Sequence, residues 1–181
     1  NKLLQKTEEL RIAQNVAGVG SFSYDIKNKS VTWSDNLYEL YELDKNKFVP
    51  TKDNFFKKVV HSDSREYAIK TVDNAVDNKL EEIDYIHKIQ TISNSEKWMH
   101  AIIKIVYNNK KEPIHMHGTS QDITELYLTK ISLEKSKLRL KKAHSIANLG
   151  TWDEDHITKK IYWSPILKRM FGIDNKSIIK N

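Results

Sequence analysis

The chain carries an internal repeat. Residues 13–22 read AQNVAGVGSF and residues 143–152 read AHSIANLGTW, an offset of 130 positions. The same offset carries Trp33 onto Trp163 without a gap. A constant offset across several turn and strand signals indicates two copies of one folding unit. The second copy breaks off early, at Asn181, so we expect a complete core only in the first copy.

Composition is typical of a folded, water-soluble domain. Of the 181 residues, 39% are hydrophobic and 30% are charged, which fits neither a disordered chain nor a membrane protein. No apolar run reaches the length of about 18 residues that a membrane span needs, and residues 1–6 lack the apolar core of a signal peptide. We therefore expect this fragment to be cytoplasmic and free of membrane contact, even if its parent protein is membrane-anchored.

Charge and cysteine content exclude several classes of site. The net charge is +6, but the lysines alternate with acidic residues and form no dense basic stripe, so we expect no nucleic-acid binding. The chain has no cysteine, which excludes disulfides, thiolate zinc sites and flavin photochemistry through a cysteinyl bond. The 5 glycines form no phosphate-binding motif.

Hydrophobic periodicity predicts an α+β domain. A helix is expected over residues 1–17, where Leu3, Leu10 and Ala17 have heptad spacing. Two short strands, several helical segments and three long strands follow, over residues 21–26, 30–34, 37–43, 55–60, 64–78, 82–90, 97–107 and 113–121. That order is typical of one antiparallel sheet with helices on one side.

The last two strands predict which side of the sheet is buried. A four-residue loop at 108–111 pairs Tyr107 with Glu112 and places Ile102 opposite His117. One face is then purely apolar and should face the core; it carries Met99, Ala101, Ile103, Ile105, Ile114 and Met116. The mixed face carries Trp98, His100, Ile102, Lys104, His115 and His117.

We expect a ligand pocket between this apolar face and the helices of residues 35–78. Such pockets are mostly apolar with few polar anchors. The candidate lining residues are Phe22, Tyr24, Phe56, Val72, Tyr85, Ile103, Ile105 and Met116. The alternative is a solid core filled by its own side chains.

Four motifs occur in an order and spacing that are typical of one domain family. They are GSFSYD at 20–25 with VTWS at 31–34, VHSDSRE at 60–66, Lys97-Trp98, and GTSQDITE at 118–125. In turn they resemble the opening hairpin, the His-Pro-Asp-Asp-Arg helix start with Ser62 in place of proline, the start of a later strand and the closing motif of PAS domains of bacterial signalling proteins. The resemblance implies a five-stranded antiparallel sheet with short helices on one face, flanked by linker helices at both ends.

These motifs divide the chain into four segments. We expect a linker helix over 1–17, a complete PAS domain over 18–122, a second linker helix over 123–147 and a truncated second PAS domain over 148–181. Asp122 and Glu125 fit a D-x-x-E capping box, so Asp122, Thr124 and Glu125 are candidate signal-relay residues. The heptad of Leu126, Leu133, Leu140 and Ala147 predicts a parallel coiled coil and hence a homodimer. A helix packed on its own domain is the alternative.

The resemblance implies a sensory and dimerisation module without catalytic residues. The parent protein is expected to be a sensor histidine kinase, with a diguanylate cyclase or phosphodiesterase as the alternative. His144 lacks the flanking residues of a phospho-accepting histidine. An alternative of another class is a stand-alone metal-dependent enzyme that uses His100, His115 and His117. A third is a structural dimerisation unit without a ligand.

The resemblance implies a small-molecule ligand or a partner between helices and sheet, and it leaves the cofactor unknown. In haem-binding relatives the histidine ligand lies in the helix after the His-Pro-Asp-Asp-Arg segment. The corresponding residues, 64–78, contain no histidine. Haem bound in that mode is therefore disfavoured, as is cysteinyl flavin.

Overall fold

The structure is a computed structural model that describes residues 5, 6, 8, 9, 12, 14 and 16–173. Two compact units are present, residues 1–127 and 128–181. The described residues before Ala17 are helical, whereas the heptad positions Leu3 and Leu10 lie outside the described residues. In the described part of the chain, no helix is long and apolar enough to cross a membrane.

The first unit contains a five-stranded antiparallel sheet with the order β2-β1-β5-β4-β3. The strands are β1 (Val19–Asp25), β2 (Ser30–Trp33), β3 (Glu82–Gln90), β4 (Glu96–Tyr107) and β5 (Pro113–Asp122). The first hairpin turns at Asp25, whose carboxylate accepts hydrogen bonds from the backbone and side-chain nitrogens of Asn28. The helices lie between β2 and β3 in sequence. The predicted α+β fold with one antiparallel sheet is confirmed.

Short polar side chains start the helices between β2 and β3. These helices are α1 (Asp35–Leu40), α2 (Lys52–Asn54), a π-helical turn (Phe55–Val59) and α3 (Ser62–Asp77). Ser34 Oγ accepts a hydrogen bond from Leu37 N at the start of α1, and Thr51 Oγ1 accepts one from Asn54 N at α2. At α3 the cap is His61, whose Nδ1 accepts from Asp63 N. Each cap satisfies a backbone donor that the first helical turn leaves free.

The predicted register of β4 and β5 is wrong by two residues, although the faces are right. Lys104 lies opposite His117 rather than His115. The five-residue loop, which pairs Tyr107 with Pro113, shifts the register by one residue, and the irregularity between Val106 and Tyr107 shifts it by one more. Asn108 closes the loop, since its side-chain oxygen accepts from Lys110 N and Glu112 N and its backbone nitrogen donates to the Glu112 carbonyl. A slip of two residues leaves every side chain on its predicted face. Five of the six predicted core positions are accordingly buried, and Ile114 is half-buried.

Helix α1 packs on β1 at a glycine. A Cβ atom at Gly20 would lie 2.7 Å from the Cα of Leu37, so only glycine permits this approach without movement of the backbone. Ser34 Oγ also accepts from Ser21 N, which ties the start of α1 to the same strand. The opening hairpin and α1 therefore form one closely packed block.

The second unit contains the same local structure in its described part. Helix α4 (Thr124–Ile146) begins in the first unit and continues into the second, where β6 (Trp152–Asp155), β7 (Lys160–Trp163) and α5 (Pro165–Met170) follow. A Cβ atom at Gly150 would lie 2.9 Å from the Cα of Leu167, and Ser164 Oγ accepts from Thr151 N. These contacts repeat those of Gly20 and Ser34. That residues 148–181 are the start of a second domain stays a prediction.

Candidate functional site

A cavity lies between the core face of the sheet and the helices that cover it. Its volume is about 510 Å³, within the range of roughly 300–1,000 Å³ that is usual for small-molecule sites. All five strands, the π-helical turn and α3 contribute lining residues. The space is therefore large enough for a small organic molecule.

Seven of the eight candidate pocket residues line this cavity. They are Phe22, Tyr24, Phe56, Val72, Tyr85, Ile103 and Met116. Ile105 does not line it: the residue is 3% exposed and belongs to the apolar cluster beside the cavity, where neighbouring side chains cover it. That the seven residues bind a ligand stays a prediction.

Further aromatic side chains line the cavity from the side of β2, α1 and the π-helical turn. Trp33 stacks against Phe48 at 5.3 Å between ring centroids and meets Tyr41 edge-on at 5.3 Å. Trp33, Tyr41 and Phe55 all line the cavity. Sequence reasoning missed them as pocket residues, although Trp33 lies in the motif that resembles the opening hairpin.

Small residues form the floor of the cavity. Ala101 lies between Tyr85 and Ser120 in the sheet register, so its methyl group leaves room above the sheet. The Tyr41 hydroxyl donates to Ser120 Oγ at 3.2 Å. Burial raises the pKa of Tyr41 to about 12, so the phenol stays protonated at neutral pH.

One polar side chain in the cavity wall has no partner. His87 is 1% exposed, and neither of its ring nitrogens has a hydrogen bond. Its ring stacks on Tyr85 at 5.0 Å and meets Phe55 edge-on at 5.9 Å. Burial lowers the pKa of His87 to about 4, so the imidazole is neutral at pH 7.

His87 escaped sequence reasoning, although the sequence contains a signal for it. Along β3 the buried positions alternate and include Ile83, Tyr85, His87 and Ile89. A histidine at an inward position among apolar residues is the signal.

Charged residues lie only at the rim of the cavity, among those that line it. Lys52 Nζ forms an ion pair with Asp73 Oδ1 at 3.2 Å. Asp77, which lies on α3 like Asp73, is exposed and also lines the cavity. Two carboxylates against one ammonium make the rim net negative. An anionic molecule is therefore disfavoured there by Coulomb repulsion.

The candidate relay residues join the sheet to α4. Asp122 ends β5, and its Oδ1 accepts from the backbone nitrogen of Thr124 at 2.9 Å and from the Thr124 hydroxyl. Thr124 Oγ1 in turn accepts from Trp98 N at 2.9 Å. The predicted capping box pairs Asp122 with Glu125, and this partner is wrong. Asp122 binds Thr124 instead, and Glu125 is exposed.

Two further contacts hold the start of α4 on β4. The backbone nitrogen of Ile123 donates to the Trp98 carbonyl at 2.9 Å. The Trp98 ring stacks on Tyr127 at 4.1 Å between centroids. The first turn of α4 is thus fixed to β4 and β5 by backbone, hydroxyl and ring contacts, which gives the Lys97-Trp98 motif a structural role.

A family model described as "PAS fold" matches residues 30–120, a region that includes most of the residues lining the cavity and four of the five strands. The chain belongs to the PAS family. A curated relative is the "Probable diguanylate cyclase DgcE" of Escherichia coli strain K12, which is 21% identical over 171 residues. That match covers 93% of this chain but only 15% of the relative.

Solved structures of low sequence identity share the PAS fold. A sensory box histidine kinase/response regulator from Burkholderia thailandensis E264 superposes with a TM-score of 0.62 at 16% identity, covering 74% of this chain and 98% of the other. The N-terminal domain of a diguanylate cyclase with PAS/PAC sensor from Marinobacter aquaeolei superposes with a TM-score of 0.54 at 8% identity, covering 60% and 98%. The PAS domain of this chain thus has the fold of PAS domains that occur in a kinase and in a cyclase alike.

The outer face of the PAS sheet does not gather the three histidines of the metal-enzyme alternative. His115 and His117 stack at 5.9 Å between centroids, but His100 is four residues along β4 from Lys104, the partner of His117. At about 3.3 Å per residue, that offset is about 13 Å. His100 instead meets Asp84 at 2.7 Å, and no group of three metal-ligand side chains occurs among the described residues.

Proposed function

We propose that this PAS domain is a sensory and dimerisation module that reports occupancy of its cavity to an output domain through α4. A bacterial sensor histidine kinase is the proposed parent, acting in the cytoplasm. A diguanylate cyclase is the second candidate, which the 21% identity to DgcE favours. The observation that carries the proposal is the direct junction between β5 and α4 at Asp122 and Thr124.

The same two strands hold cavity residues and junction residues. On β5, Ser120 lines the cavity, and Asp122, two positions after Ser120, accepts a hydrogen bond from Thr124 N. On β4, Ala101 lines the cavity, and Trp98, three positions before Ala101, donates its backbone N–H to Thr124 Oγ1. At about 3.3 Å per residue, these separations are about 7 and 10 Å. A molecule that displaces either strand therefore moves the start of α4.

The segment before β1 meets the same point of the sheet. The Gln121 side-chain amide donates to the carbonyl of Ala17 at 3.2 Å, and Val19 pairs with Gln121 in the sheet. The segments that enter and leave the domain are thus both fixed to the end of β5. This arrangement suits a module that is inserted in series between other segments of a longer protein.

Apolar residues of α4 supply the proposed dimer interface. Leu126, Leu133 and Leu140 are more than half exposed in the single chain, and no residue of α4 is buried. Their heptad spacing places them on one stripe, which a parallel twin helix would cover. Coiled coils have discrete packings, so a movement at Thr124 can be passed on as a change of packing.

Insertions into α4 of the parent protein test the proposal. A copy of residues 130–136 placed after Ser136 keeps the heptad phase, so output should retain its response. Two alanines at the same place rotate the following helix by about 200° and should lock output in one state. The measurement is phosphoryl transfer or cyclic-dinucleotide synthesis by the output domain. A seven-residue Gly/Ser insertion is the control, since equal output from all three variants would mean that α4 is a mere tether.

A further inference from the structure

His87 presents a polar group that the folded chain leaves unsatisfied. Two buried side-chain polar atoms in the described part of the chain lack a hydrogen-bond partner, and both are ring nitrogens of His87. Buried polar atoms in folded proteins nearly always have one, and each exception calls for an explanation. No contact within the described residues supplies that explanation for His87.

The position of His87 points to an occupant of the cavity as the missing partner. The residue is part of the cavity wall, and its ring contacts Tyr85 and Phe55. Both nitrogens are covered in the free chain, so an occupant reaches them when the ring turns toward the cavity. A neutral imidazole offers one nitrogen that donates and one that accepts. In these apolar surroundings a hydrogen bond is electrostatically stronger than the same bond in water.

We infer that His87 is the polar anchor of the cavity, and that the cavity binds a neutral, flat aromatic molecule whose hydroxyl or ring N–H donates to His87. This inference rests on the proposed function of the cavity as a small-molecule sensor. It adds the chemical class of the occupant and the residue that recognises it.

The cavity wall favours a flat aromatic occupant. Seven aromatic side chains line it together with His87, namely Phe22, Tyr24, Trp33, Tyr41, Phe55, Phe56 and Tyr85. Aromatic rings gain from stacked and edge-to-face contacts beyond the area they bury. A volume of about 510 Å³ exceeds what a single ring fills, so molecules of two or three fused rings fit best.

Charge favours a neutral occupant over an anion. The charged lining residues are Lys52, Asp73 and Asp77, and Lys52 is already paired with Asp73. His87 cannot supply a positive charge at pH 7, since burial lowers its pKa to about 4. A carboxylate inside the cavity would therefore lose its hydration without gaining a counter-ion.

Three naphthalene derivatives test the inference by calorimetric titration of the 181-residue chain. They are 2-naphthol, 2-methylnaphthalene, which lacks the donor, and 2-naphthoate, which is anionic. We expect 2-naphthol to bind about fivefold tighter than 2-methylnaphthalene, as one net hydrogen bond allows, and 2-naphthoate to bind weakest. His87→Phe keeps the ring contacts and removes the nitrogens, so it should abolish the preference for 2-naphthol and leave the affinity for 2-methylnaphthalene unchanged.

Two more variants separate the anchor from the cavity and from folding. Ala101→Leu raises the floor and should weaken both neutral probes equally. His87→Gln retains an acceptor and should keep a preference for 2-naphthol. The Tm of His87→Phe at pH 7 should equal or exceed that of the wild type, because the variant removes two unsatisfied nitrogens; a purely structural histidine would give a lower Tm and no change in preference.

Each contrary result has its own meaning. If wild type and His87→Phe bind 2-naphthol equally, the anchor role is wrong while a ligand-binding cavity stands. If 2-naphthoate binds tightest, the neutral-occupant inference is wrong. If the wild type binds none of the three probes, the chemical class is wrong, whereas the relay through α4 is judged separately by the insertions.

Discussion

Lowering the pH from 7 to 4 is expected to decrease the free energy of unfolding by about 3 kcal/mol through His87 alone. In the unfolded chain a histidine takes up its proton near pH 6.5, whereas burial lowers the pKa of His87 to about 4 in the folded chain. Between these values the unfolded state binds more protons than the folded state. Stability is therefore lost as the pH falls through that window.

Urea denaturation at a series of pH values measures this loss. His87→Phe lacks this titration and should lose less stability than the wild type between pH 6.5 and pH 4.5. Glu42 titrates in a different window, because hydrogen bonds from Ser93 and Lys97 lower its pKa to about 2, so its contribution is lost only below its ordinary value near 4.5. Equal losses in wild type and His87→Phe above pH 4.5 would show that His87 is not buried in the neutral form.

Replacing Arg65 with alanine is expected to decrease the free energy of unfolding by roughly 3 kcal/mol, since bonds from a charged donor are worth about 1.5–3 kcal/mol each and these are partly exposed. Its Nε donates to the Phe56 carbonyl at 2.7 Å. Its Nη2 donates to the carbonyls of Lys57 and Val60 at 3.0 and 3.2 Å. These carbonyls lie at the end of the π-helical turn, where the backbone lacks helical partners.

Arg65→Lys is the matched control for this prediction. Lysine keeps the charge but lacks the planar fork that reaches several carbonyls at once, so it should lose about half as much stability as alanine does. Because the π-helical turn carries Phe55 and Phe56 into the cavity wall, both variants should also weaken binding of 2-naphthol. Urea denaturation and calorimetry measure the two effects. Alanine and lysine variants as stable as the wild type would exclude Arg65 as the residue that holds the turn.

The faces of the sheet and most of the cavity wall could be predicted from alternation, but that this wall encloses a cavity rather than a solid core could not. Alternation placed Met99, Ala101 and Ile103 on the buried face correctly, even though the loop after Tyr107 and the irregularity between Val106 and Tyr107 together shifted the register by two residues. Whether a buried face closes into a solid core or leaves a cavity depends on how the helices pack on it. Hydrophobic periodicity does not contain that information, because the packing depends on the shapes of side chains from several elements.

The polar features of the site were harder to predict than the apolar ones. The motif around Asp122 located the junction. In a capping box the Asp122 carboxylate would accept a hydrogen bond from residue 125, whereas here it accepts one from the Thr124 hydroxyl. Trp98 brings β4 into the same junction from 26 residues away in sequence. His87 lacks any motif, and only its inward position on β3 together with the absence of a partner distinguishes it.

The central claim is that occupancy of the cavity changes the packing of paired α4 helices, and electron spin-label distances test it most directly. The chain has no cysteine, so Lys135→Cys gives one label on each α4. With the cavity saturated by 2-naphthol, as calorimetry establishes, we predict a defined distance between the two labels that shifts from its value in the free protein. The same label in the Ala101→Leu variant should show no shift. An unchanged distance in the saturated wild type, or no coupling between labels at all, would contradict the claim.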